Sequence, residues 1–297
     1  MFSFGKKIKT VVVHGGTFHA DDVFVVAVLR AVFGKNKIKV IRTRDADLIS
    51  KADIVADVGA VYNPDTLRFD HHQHGGAGKR ENGIPYASFG LVWKHFGKQL
   101  VTEDEWKIID NDYVAPVDAG DCGFEIAKSS VDGVVEVNTD TIIKLFNPTW
   151  QENGLVTDKQ FEKAVTIADA VLDRMIQKSK AKSAAKIIAK TSYDNAPDKR
   201  IIVLDRPMSA DSFIPYSDIL YIIYPSEQNW QLRALPIKKD SFVLRKPLPQ
   251  SWGGQTDAEL AKVTGVEDSV FCHSGLFLAV SKSKEGALSL AHIALKG

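Results

Sequence analysis

The run Thr10 to Val13 is followed by the small, polar stretch His14-Gly15-Gly16-Thr17, and then by apolar positions packed densely from Asp21 to Phe33. This pattern predicts a buried strand, a loop and a helix in that order. Lys37 to Arg42 and Asp53 to Val58 read as two further strands, with a short helix over Asp45 to Lys51 between them. Alternation of strands and helices predicts a parallel α/β sheet, in which ligands gather at the carboxyl ends of the strands. His14 and Asp57 both fall at such ends. Ile84 to Phe96 and Glu103 to Asp112 read as helical. From Asp158, the positions Phe161, Ala164, Val165, Ala168, Val171, Leu172, Met175 and Ile176 keep helical spacing, which predicts a long helix running toward Lys190. Beyond Tyr193 to Pro197, strands over Arg200 to Leu204, Ile219 to Tyr224 and Trp230 to Pro236 and a closing helix over Glu285 to Leu295 predict a smaller sheet domain.

Length supports the same division, because 297 residues with 44% apolar content exceed one ordinary domain and can bury a core without disulfides. The expected domains are residues 1–190, including the long helix, and 191–297, with the active site in the cleft between them. Cys122 and Cys272 have no paired spacing, which supports neither a disulfide framework nor a cysteine zinc site and fits a reducing cytoplasm. The opening MFSFGKKIKT and the short valine run predict no membrane span or targeting segment. The net charge of +1 conceals an asymmetry: residues 1–175 hold 21 Lys+Arg against 25 Asp+Glu, leaving 17 against 12 for the rest. An acidic first part suits cations and a basic second part suits a phosphorylated ligand, although solvated surface produces the same imbalance. The stretch GAGK resembles a phosphate loop only superficially, since Arg80 follows Lys79 and the glycine spacing is wrong.

Five of the eight histidines lie between residues 14 and 74, three of them in Asp70-His71-His72-Gln73-His74. Imidazoles crowded among aspartates suit divalent transition ions, and a carboxylate at a strand end, such as Asp57, can bridge two of them. Each residue alone has a plainer reading. His14 could be a hydrogen-bonded loop histidine, His19 and Asp21 could cap the following helix, and Asp57 could turn the chain before Gly59. Jointly, H-x(4)-H-x-D after the first strand, an aspartate ending a later strand and then D-H-H form an ordered set.

The stretches HGGTFHADD, ADIVADVG, FDHHQ, YASFGLVWKHFG and VDAGDCG together resemble the melanocyte-proliferating-gene family of the DHH phosphoesterase superfamily. The resemblance implies a DHH-type parallel-sheet domain followed by a smaller α/β DHH-associated domain. It implies His14, His19 and Asp21 as metal ligands of the first motif, Asp57 as the bridging carboxylate, His71 as a ligand and His72 as a residue facing the substrate. For the fourth motif it leaves Asp118 and Asp121 as alternatives. In the second domain it implies substrate contacts from Arg245, Lys246, His273, Ser274 and Gly275. Two divalent ions are implied, with Mn²⁺ favoured and Mg²⁺ and Zn²⁺ as alternatives. The implied activity is phosphodiester hydrolysis, a 3′ to 5′ exonuclease on RNA or short oligonucleotides, with Asp57, His71 and His72 at the chemistry. Two other readings stand beside it: hydrolysis of a small phosphoanhydride or cyclic dinucleotide, and a non-catalytic metal-dependent nucleic-acid binding protein. Oligomeric state is left open, a homodimer included.

Overall fold

Val11, Val12 and Val13 carry no exposed surface in strand β1 (Lys9–Val13), as expected of stiff β-branched side chains in a sheet interior. The computed structural model describes residues 8–152 and 156–297. The chain divides into two compact units, Met1–Lys180 and Ala181–Gly297.

In the first unit, β1 pairs in parallel with β2 (Ile38–Arg42) on one side and β3 (Ile54–Ala56) on the other, with Val11 opposite both Val40 and Ile54. The antiparallel strand β4 (Tyr62–Asn63) precedes β5 (Arg68–Phe69), which pairs in parallel with β3. The strand order is β2-β1-β3-β5-β4. The crossovers are α1 (Ala20–Phe33) and α2 (Ala46–Lys51), the latter capped by Asp45, whose carboxylate accepts from the Asp47 and Leu48 amides. Because the chain leaves β1 for one neighbour and returns on its other side, the sheet's switch point lies between β1 and β3. Three adjacent parallel strands therefore end side by side in His14, Asp57 and Asp70.

The helices that follow are α3 (Ser88–Phe96), α4 (Glu103–Ile109), α5 (Ala115–Asp121) and α6 (Thr139–Lys144). The helix expected from Ile84 starts four residues later, because Tyr86 donates its amide to the Gly78 carbonyl and Pro85 bridges to Lys79, holding 84–87 in the loop. A π-helical segment, Asp110–Val114, joins α4 to α5 just before Pro116, which lacks the amide an unbroken ladder needs. The long helix α7 (Thr157–Asn195) delivers Phe161, Ala164, Val165, Ala168, Leu172 and Met175 to the core of the first unit, the spacing the sequence predicts. In that core Phe24 stacks on Phe89 with 5.1 Å between ring centres.

The second unit is a separate sheet of β6 (Ile201–Val203), β7 (Tyr221–Ser226), β8 (Asn229–Ala234), β9 (Ser269–Cys272) and β10 (Leu278–Ser281), ordered β6-β7-β8-β10-β9. The β6–β7 pair is parallel and the other pairs of this sheet are antiparallel. Helices α8 (Asp257–Thr264) and α9 (Lys284–Lys296) complete it around Tyr221, Leu232, Trp252 and Leu290. Strands β9 and β10 and helix α8 are additions to the elements read from sequence. Among the described residues, no helix is long and apolar enough to cross a membrane.

Candidate metal centre

Asp57 leaves β3 in the left-handed region, with φ at 56°, a conformation that aspartate tolerates better than most side chains. Its carboxylate stands between two histidines. His14 Nε2 lies 3.2 Å from Asp57 Oδ2, and His71 Nε2 lies 3.3 Å from Oδ1. Beyond His14 is Asp22, at 3.5 Å; beyond His71 is Asp121, at 3.2 Å, with His19 a further 3.9 Å from Asp121. Asp57 belongs to two potential coordination groups, His14-Asp22-Asp57 on one side and Asp57-Asp70-His71-His72 on the other, and His71 also to a third, His71-Asp121-Cys122, each with ligand atoms within 4.8 Å of one another.

The tautomers suit metal binding. His14 Nδ1 donates to the Gly15 carbonyl, 3.2 Å away, which leaves Nε2 to face the aspartates. His72 Nδ1 lies 2.7 Å from Asp70 Oδ1, which also accepts from the amides of His71 and His72. The His72 side chain is 59% exposed, unlike the buried groups around it. Cys122 Sγ lies 3.6 Å from His71 Nδ1.

Asp22 Oδ2, Asp57 Oδ1 and His71 Nε2 are buried without a hydrogen-bond partner. Left with neither a hydrogen bond nor a counter-charge, three such atoms together would cost several kcal/mol, on the order of 1–3 each; here they have ion-pair neighbours at 3.2 to 3.5 Å, and a bound ion would satisfy them more fully. Their chemistry, two carboxylate oxygens and an imidazole nitrogen, fits a divalent transition ion.

Electrostatics agree. Burial alone would raise the Asp57 carboxyl, but the His14 and His71 imidazoles, at 3.2 and 3.3 Å, outweigh it and hold it down at about 2. Burial pushes Asp22 up to about 7 despite His14 nearby. Burial opposes the His14 and His71 cations, yet the nearby Asp57 carboxylate and, for His71, that of Asp121 raise both above the ordinary histidine range.

Two predicted ligands sit differently from their neighbours. Both Asp21 oxygens accept backbone amides, from Ser88 at 3.1 Å and Phe89 at 2.5 Å, and the adjacent Asp22 faces His14 instead. Of the alternatives Asp118 and Asp121, Asp121 meets His71 and His19, whereas Asp118 is engaged by Arg80 and the Gly90 amide. Sequence reading passed over Asp22 and Cys122. The doubled aspartate in HADD was the available signal for Asp22, and adjacency to Asp121 was the signal for Cys122.

In the second unit, Arg245, for which a substrate contact was expected, is engaged within its own unit. Its guanidinium donates to the carbonyls of Ile214, Tyr216, Ile219 and Pro236, which makes it a brace of its own unit. Lys246 Nζ donates to the Leu295 carbonyl at 3.2 Å. His273 Nδ1 accepts the Gly275 amide at 2.9 Å, and its ring packs at a tilt against Phe277, so His273, Ser274 and Gly275 form one tight turn at the end of β9.

These shifts predict how the metal-free protein responds to pH. The raised Asp22 contributes stability that is full below the ordinary carboxylate range and is lost as pH rises through about 7; the raised His14 acts in the same sense above its ordinary 6.5. The lowered Asp57 acts oppositely, its contribution being lost only as pH falls toward about 2. Between pH ~5.5 and ~7.5 Asp22 alone then costs about 2 kcal/mol. Metal-free Tm should fall across this interval, while the rise in Tm on adding Mn²⁺ should grow, because the ion replaces a proton. Differential scanning fluorimetry across the interval checks this. A Mn²⁺-induced shift independent of pH would contradict it.

The family model MYG1_exonuc, described as "Uncharacterised protein family (UPF0160)", matches residues 10–295 of the chain. The chain is 30% identical to a MYG1 protein of Dictyostelium discoideum over 95% of each chain. It is 30% identical to a MYG1 protein of Chlamydia trachomatis serovar D over 97% of each chain. It is 28% identical to the MYG1 exonuclease of Mus musculus, over 95% of this chain and 83% of that one. A crystal structure of RecJ in complex with Mg²⁺ from Thermus thermophilus matches 98% of this chain and 50% of its own, at 13% identity and a TM-score of 0.26.

Proposed function

The chain belongs to the MYG1 exonuclease family, and from that premise we propose that it is a metal-dependent phosphodiester hydrolase, a 3′ to 5′ exonuclease acting on RNA or short oligonucleotides. The observation that carries the reading is the Asp57 carboxylate, whose two oxygens face separate groups of ligands on opposite sides.

His14, Asp22 and Asp57 would hold one divalent ion, and Asp57, His71 and Asp121 the other, with His19, Asp21 and Cys122 at the margins. Mn²⁺ is the ion we favour for this mixed imidazole and carboxylate set, ahead of Mg²⁺ and Zn²⁺. When bound, paired ions supply an activated water and neutralise charge gathering on a transferring phosphoryl group. Asp57, held ionised, keeps its negative charge at every pH where the enzyme would work. His71 is oriented by Cys122 on one nitrogen and presents the other toward Asp57 and Asp121.

His72 is exposed and held at Nδ1 by Asp70, so Nε2 is the nitrogen left for substrate. There it donates a hydrogen bond or a proton toward a phosphate or leaving oxygen.

His72→Ala should lower kcat by about a hundredfold or more, the usual contribution of a general acid, while the metal content per chain stays at the parent's value. Elemental analysis after gel filtration reads the metal; a loss equal to that of Asp57→Asn would make His72 a ligand. The substrate is tested by incubating the protein and Mn²⁺ with 5′-labelled short RNA, the same sequence as DNA, a cyclic dinucleotide and pyrophosphate. The expected result is a ladder of RNA products that keep the 5′ label and shorten from the 3′ end. Turnover of pyrophosphate or the cyclic dinucleotide alone would move the enzyme to small substrates. RNA binding without turnover would make it a binding protein.

A further inference from the structure

Away from the ligands, the interior of the first unit holds a cation between two carboxylates. Arg80, 8% exposed, donates from Nε and Nη2 to both oxygens of Asp110, at 2.9 and 2.8 Å, and from Nη1 to Asp118 Oδ2 at 2.8 Å. The other oxygen of Asp118 accepts the Gly90 amide at 3.0 Å. Gly90 is the third residue of α3, and the first two, Ser88 and Phe89, donate their amides to Asp21. Three amides that a helix start leaves without intrahelical partners are thus all taken by carboxylates, Asp21 from α1 and Asp118 from α5. The approach is close: a Cβ on Gly90 would stand 1.9 Å from Asp118 Oδ2 and 2.9 Å from Arg80 Nη2.

The knot ties together the two helices that serve opposite sides of Asp57. On α1, Asp21 is followed by Asp22, which faces His14; on α5, Asp118 is followed one turn later by Asp121, which faces His71. We propose that Arg80 is a positioning residue for the metal centre. By clamping Asp118 and Asp110 it fixes α5 against α3 and, through the shared amide end, against α1, which sets the separation of Asp22 from Asp121 across Asp57. Its planar fork engages both carboxylates at once, a geometry a lysine ammonium cannot reproduce. The inference rests on the metal-dependent reading above and adds to it a residue that touches neither ion nor substrate.

The test is Mn²⁺ binding by the full-length parent, Arg80→Lys and Arg80→Met, followed by electron paramagnetic resonance titration well below each Tm, together with kcat and KM on a short RNA. Supporting residues of this kind typically change metal affinity by about tenfold to a hundredfold. The expected result is a loss of that size for at least one ion in both variants, with kcat reduced and KM close to the parent's. Arg80→Lys keeps a cation beside the buried carboxylates, so it decides the question if Arg80→Met fails to fold. A lower Tm with Mn²⁺ affinity and kcat equal to the parent's would make Arg80 a purely structural brace and overturn the proposal alone. A parent that takes up no Mn²⁺ would overturn the metal-dependent reading, and this proposal with it.

Discussion

Asp57→Asn is expected to reduce kcat by about a thousandfold or more and to weaken both ions. The amide is isosteric and accepts the left-handed backbone at position 57, so the turn between β3 and Gly59 should persist. What it lacks is charge. In the parent, His14 and His71 hold that charge firmly on the carboxylate, and it lies between the two sets of ligands. Stabilisation of a phosphoryl transition state by bound ions is worth several kcal/mol, and a loss of about 4 kcal/mol is about a thousandfold in rate. Steady-state kinetics beside elemental analysis measure both effects, and circular dichroism confirms the fold. A variant that keeps its metal and most of its rate would remove Asp57 from the centre of the mechanism.

Stripping the ions should silence the parent and lower its stability together. The three buried atoms without a hydrogen bond, Asp22 Oδ2, Asp57 Oδ1 and His71 Nε2, meet only ion-pair neighbours at 3.2 to 3.5 Å, and a bound ion would satisfy them. A ligand present at about 100 times its Kd stabilises the folded state by about 2.7 kcal/mol. For a unit of this size that is a rise in Tm of about 5 to 10 °C. Mn²⁺ added to chelator-treated protein should produce that rise and restore turnover, and Asp57→Asn should show neither. A melting curve unchanged by Mn²⁺ would mean that the cluster closes on itself through its histidine and aspartate pairs.

How far the sequence foretold these residues depended on how locally each position is determined. The valine run of β1 and the helical spacing from Phe161 to Met175 are local patterns, and both elements formed as predicted. His14 and Asp57 were legible as strand ends, and adjacency in the sheet followed from strand order. Strands β4 and β5 have two residues each, too few for any periodicity, so the strand that delivers Asp70 was invisible although its D-H-H triplet was not.

Choices between neighbouring carboxylates were harder, because long-range partners make them. Asp21 and Asp22 are adjacent at one helix start, and the α3 amides about 67 positions away turn Asp21 aside. Asp118 and Asp121 lie one turn apart on α5, and Arg80, 38 positions earlier, occupies Asp118. The resemblance implied a substrate contact for Arg245, yet carbonyls up to 31 positions away hold its guanidinium. Cys122 was weighed only as half of a cysteine pair, whereas its neighbour in space is His71.

Anomalous scattering from crystals of the parent soaked in Mn²⁺ tests directly whether Asp57 stands between two ions. Two peaks are predicted about 3.5–4 Å apart, one beside His14 and Asp22 and one beside His71 and Asp121, each within bonding distance of a different Asp57 oxygen. A single peak away from Asp57, or none with the ligands still paired to one another, would contradict it.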